Sequence, residues 1–177
     1  MRKIVLTFGL IAGAVMSVLM VLTFVVFRGV DFDNGAIVGY SGMVLAFLMI
    51  FVGVKTYRDN IGGGVVTFVR AMNVGLLITV IATACYVATW EVIYYKFAPD
   101  FMTKYAAHVV EQAKKAGKSE VEVAAISKQM AEVSEAYKNP IVNIAYTFIE
   151  PLPVGLLFTF GAAWFLSRRR KVLLPAP

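Results

Sequence analysis

Two glutamates stand at the ends of long apolar runs in this chain, Glu91 in "TWEVIYY" and Glu150 in "FIEPLPVG". A carboxylate at the edge of a membrane span either rests in interfacial water or binds a cation or relays a proton. Trp90, Tyr94 and Tyr95 surround the first, and Pro151 and Pro153 follow the second. Proline inside a helix lacks an N–H and frees a carbonyl that a cation can use. Counted along a helix, Glu91 lies ~31 Å from Arg70 and Glu150 ~27 Å from Arg168. The two carboxylates are therefore expected at similar depth and close together, as a candidate ion or proton site.

Other chemistry is thinly represented. "YRDNIGGGVVTFVRAMNVG" holds Gly62, Gly63 and Gly64 ahead of an apolar run. A phosphate-binding loop needs Gly-Lys-Ser/Thr after its glycines, with a strand before them. Val65, Val66 and Thr67 follow instead, so the stretch reads as a turn with Thr67 as helix cap. His108 is the only histidine and Cys85 the only cysteine. One histidine does not make a metal site, and one cysteine gives no intramolecular disulfide. Cys85 reads as a small buried apolar residue. No set of nucleophile, base and orienting acid is legible. The expectation is a protein with no catalytic residue, cofactor or metal, and not an enzyme.

The elements that must position these groups are long apolar helices. The chain has 177 residues, 59% of them hydrophobic, with mean hydropathy +0.75. A helix needs about 20 apolar residues to cross a bilayer. Apolar runs predict spans over about 4–27, 34–54, 69–95 and 146–167. The first begins like a signal peptide, but it is too long and ends without a small-residue cleavage pattern. It is expected to remain as a helix. The net charge of +6 flanks the spans and is a topology signal rather than a nucleic-acid footprint. Arg2, Lys3, Lys55, Arg58, Arg70 and the "RRRK" run from Arg168 to Lys171 fall on one side. Arg28 is offset by Asp31 and Asp33. Both termini and the glycine turn are expected in the cytoplasm.

Small residues recur every four positions: Gly9, Gly13 and Ser17; Gly35 and Gly39; Ala71, Gly75 and Thr79; Gly155, Thr159 and Ala163. Such stripes let helix backbones approach in lipid. Between spans 3 and 4 the character turns polar. Residues 99–138 read as an extracytoplasmic helical hairpin. Gly117 would end its first helix, and Ser119 with Glu122 would open the second as a capping box. Val123, Ile126, Met130, Val133 and Tyr137 form an apolar seam at three–four spacing, the candidate partner surface. Asn139-Pro140 reads as the cap and first residue of the next helix.

The stretch "YRDNIGGGVVTFVRAMNVGLLITVIATACYVATWEVIYY", with "FGLIAGAVMSVLM", "YKNP" and "EPLPVGLLFTF", resembles a bacterial four-helix inner-membrane family known only as a domain of unknown function. The resemblance covers most of the chain. It implies the four-span fold and a bacterial cell membrane, and it brings no activity or site residues.

The fold class expected is therefore all-α, a polytopic four-transmembrane-helix bundle forming a single domain over 1–177, with the hairpin inserted. The functional expectation is a non-enzymatic accessory or interaction subunit of a membrane complex. The alternative is a small ion-coupled transporter or permease using Glu91 and Glu150. The partners expected are the lipid bilayer and a protein, either another chain or a second copy, met through the bundle or the hairpin. No nucleic acid is expected.

Overall fold

A computed structural model describes residues 1–26 and 32–168, without the side chains of residues 25, 26, 33 and 36. Arg28 and Asp31, the Asp33 side chain and the end of the basic run from Arg169 to Lys171 lie outside that description. Seven α-helices account for the described chain: α1 (Arg2–Val21), α2 (Phe32–Asn60), α3 (Phe68–Lys96), α4 (Phe101–Lys115), α5 (Glu120–Tyr137), α6 (Pro140–Ile149) and α7 (Leu152–Ser167). A π-helical turn, Leu22–Val26, continues α1.

Among the described residues, four stretches are long and apolar enough to cross a membrane: Arg2–Phe24, Ile37–Asn60, Phe68–Lys96 and Pro140–Ser167. The fourth starts earlier than its apolar run suggests and is built from two helices, α6 and α7. Pro151 and Pro153 explain the break. Neither supplies an N–H, so the ladder of i to i−4 bonds is interrupted between Ile149 and Leu152. Glu150 sits at that interruption.

The bundle closes by small-residue contact. α1 and α7 each pack on both α2 and α3. A Cβ added at Gly75 would lie 2.8 Å from Thr159, and one at Gly155 2.4 Å from Thr79. The α3–α7 crossing thus depends on glycine on each side, and a Thr79–Thr159 hydrogen bond of 3.2 Å runs across it. Gly9 and Gly13 of α1 seat Ile81 and Cys85 of α3 in the same way. One turn on, Thr89 donates to Ser17 at 2.7 Å. Phe47, Ile50, Val74 and Ile78 fill the centre with no exposed surface.

The stripe on α2 behaves differently. A Cβ at Gly35 or Gly39 would meet nothing within 4 Å. Spacing alone marks a small stripe, but only the neighbours decide whether it receives a helix or faces open space.

The polar segment folds as its caps require. Gly117 ends α4 with φ +73°. Ser119 and Glu122 form the reciprocal capping box of α5, and the Asn139 side chain accepts from the Ile141 N–H with Pro140 in the first turn of α6. α5 packs against α4. On α5, Val123, Ile126, Met130 and Val133 are half-buried and Tyr137 is buried. Much of that seam is thus taken up inside the protein. Val121, off the seam, is 80% exposed.

The glycine triplet makes a turn. The N–H groups of Gly62 and Gly64 donate to the carbonyls of Tyr57 and Arg58, and that of Val65 donates to Gly62. Gly63 and Gly64 have φ +60° and +87°, and a Cβ at Gly62 would lie 2.1 Å from the Val65 carbonyl. Amides spent on closing the turn are not available to a phosphate. Thr67 then caps α3 through the Arg70 N–H at 3.4 Å.

Candidate functional site

The site begins with the register between the third and fourth spans. Gly75 meets Thr159 and Thr79 meets Gly155. Tyr86 then reaches Glu150, and its hydroxyl donates to the carboxylate at 2.9 Å. Glu150 is therefore held by Tyr86, which stands five residues before Glu91 on α3.

Glu150 opens on a cavity of about 450 Å³ between the helices. Met16, Met20 and Phe24 line it from the first span, Gly35, Gly39 and Met43 from α2, and Tyr86 and Trp90 from α3. Phe101, Met102 and Tyr105 of α4 and Tyr137 of α5 complete it. The open glycine stripe of α2 thus makes room here. Thr23 contributes from the π turn, where its hydroxyl donates to the Leu19 carbonyl at 2.8 Å. A local widening of the helix redirects side chains, a recurrent use of π turns.

The aromatic residues of the wall hold each other in place. Trp90 stands edge-on to Phe24 at 5.4 Å and to Phe101 at 4.9 Å, and Phe101 stacks on Tyr105 at 6.1 Å. Edge-to-face pairs align ring edges with ring faces and fix orientation. Behind them runs a hydrogen-bond chain. Trp90 Nε1 donates to Tyr137 Oη at 2.9 Å, that hydroxyl bonds Thr147 at 3.2 Å, and Thr147 donates to Asn143 Oδ1 at 3.3 Å. It ties α3, α5 and α6 together. Outside the membrane-spanning helices, burial raises the Tyr137 phenol above its ordinary pKa.

Glu91 is not among the residues lining the cavity. One of its oxygens is buried with no hydrogen-bond partner among the described residues, as are Thr83 Oγ1 and Asn143 Nδ2. The structure thus places Glu150 beside Tyr86, in a cavity whose lining does not include Glu91. His108 lies against the Phe32 ring at 5.3 Å. Among the described residues, no group of three His, Cys, Asp or Glu side chains is placed to hold a metal.

The sequence reading misses Tyr86 and the α2 glycines as site residues. The signal for Tyr86 is weak, a lone tyrosine inside an apolar run. Only the register across α3 gives it a carboxylate partner.

The family described as "Protein of unknown function (DUF4199)" matches residues 7–168. The chain belongs to this family. Among curated proteins and among solved structures, nothing matches. Membership agrees with the four membrane-crossing helices and carries no assigned activity.

Proposed function

We propose that this family member is a non-enzymatic integral membrane protein that serves as an accessory or interaction subunit of a membrane complex. The observation that carries this reading is the way α4 and α5 are held. The Trp90–Tyr137–Thr147–Asn143 chain and the aromatic wall bind the pair to the bundle. The pair is thereby fastened to α3 and α6. Ion pairs along its surface, Asp100–Lys104 and Glu111–Lys115, keep its outer face polar, as suits a surface that meets a partner in water. In this proposal the membrane is the bacterial inner membrane. The termini are cytoplasmic, and α4 and α5 lie on the opposite side.

The second reading, an ion-coupled transporter, draws on the unpartnered Glu91 oxygen and on Glu150 at the cavity. That Glu91 does not line the cavity on which Glu150 opens weighs against it.

The two readings part in one experiment. A photocrosslinker at Val121, at native expression, is expected to capture one defined membrane protein repeatedly. The purified protein in vesicles is expected to pass neither protons nor sodium. Flux that Glu91→Gln and Glu150→Gln abolish would replace the accessory reading with the transporter reading.

A further inference from the structure

We propose that the cavity beside Glu150 is a binding site for a lipophilic organic monocation, such as a quaternary or tertiary ammonium attached to an apolar body. The proposal stands apart from the accessory reading and survives its failure.

Charge and shape argue for it together. Among the described residues that line the cavity, Glu150 is the only side chain of a formally charged type. Its partner, the Tyr86 hydroxyl, is neutral and engages one oxygen, Oε2. Glu150 lies ten residues, ~15 Å of helix, from the start of the Pro140–Ser167 span, and a carboxylate so placed is stabilised by a positive group that neutralises it. The remaining wall is aromatic, with Trp90, Phe101, Tyr105 and Phe24 locked edge to face or stacked. Ring faces attract organic cations, most strongly where water is excluded. A volume of about 450 Å³ falls within the range of small-molecule sites. The void exists because α2 carries Gly35 and Gly39 there. A phospholipid headgroup fits less well, because its phosphate would bring a second negative charge toward Glu150.

Trp90 is a built-in reporter. The chain has two tryptophans, and Trp164→Phe leaves Trp90 alone. In micelles of an uncharged maltoside detergent, benzyltrimethylammonium is titrated against this protein and Trp90 emission is read. Neopentylbenzene, its uncharged isostere, is titrated in parallel. The cation is expected to give a saturable change and the isostere to bind at least ten-fold more weakly. Glu150→Gln keeps an acceptor for Tyr86 and removes the charge. It is expected to weaken the cation at least ten-fold and leave the isostere unchanged. Gly39→Leu places a side chain into the empty space and is expected to abolish both signals in a monodisperse protein. Equal binding of cation and isostere, or cation binding by Glu150→Gln within two-fold of the parent, would overturn the proposal. Displacement of the probe by an equal concentration of short-chain phosphatidylethanolamine would equally overturn it, in favour of a lipid headgroup site.

Discussion

Tyr137 ties α5 to both α3 and α6. Its hydroxyl accepts from Trp90 and bonds Thr147, and its ring stands edge-on to Tyr94 at 5.4 Å. Tyr137→Phe keeps the ring and strands the Trp90 N–H. Leaving a buried donor unmade costs about 1–3 kcal/mol. Thermal unfolding in detergent is expected to fall accordingly, and Trp90→Phe added to it is expected to cost less than its separate effect, because the two share one bond. Burial also gives a pH signature. The folded phenol titrates above the ordinary value of 10.0, so folding favours the neutral form. That stability is complete below about pH 10 and is lost as pH rises through the folded pKa. The gap between wild type and Tyr137→Phe should therefore hold up to about pH 10 and narrow as pH rises above it. An unchanged gap would remove the ionisation argument.

At the scale of elements, glycine decides which helices touch. Gly75→Leu drives a side chain into Thr159 and Ile50. Overpacking of this kind costs about 1–3 kcal/mol and sometimes more, and here the obstacle is a helix–helix crossing. The variant is expected to aggregate at lower temperature and accumulate poorly. Leu77→Val, on an exposed position of the same helix, is expected to match wild type. If the two behave alike, the α3–α7 contact is not what holds the bundle. α5 offers a gentler test at its start. The Ser119 side chain and backbone hold Glu122 below its ordinary carboxylate pKa. The capping box is therefore intact above about pH 4.5 and fails as pH falls through the folded value. Ser119→Ala is expected to speed amide exchange in the first turn of α5 at neutral pH and to leave α3 unaffected.

For the whole molecule the testable property is orientation. Arginine and lysine near the span ends predict that the glycine turn is cytoplasmic and the α4–α5 turn is outside. In a Cys85→Ala background, Ser127→Cys on α5 is expected to react with an impermeant thiol reagent in intact cells. Ile61→Cys, at an exposed position beside the glycine turn, is expected to react only after lysis. Gly63 is a poor probe site because its φ of +60° disfavours any side chain. The reverse labelling pattern would invert the topology.

Much of this architecture was legible from residue order alone, because its causes are local. Apolar length sets whether a helix crosses a bilayer. Ser119, Glu122, Asn139, Pro140 and Gly117 act within a few residues of themselves, so caps and breaks follow directly from spelling. The glycine turn was readable for the same reason. Relations between helices were not. The prolines that interrupt the fourth span were visible, but the partner Glu150 finds on α3 depends on the register between the two spans. The glycines of α2 carry the same spacing as those of α1 and α3, yet only neighbouring side chains determine that they border a void. Helical periodicity reports which residues share a face, and the tertiary structure alone determines what that face meets. That is why the Tyr86 hydroxyl beside Glu150 emerges only in the tertiary structure.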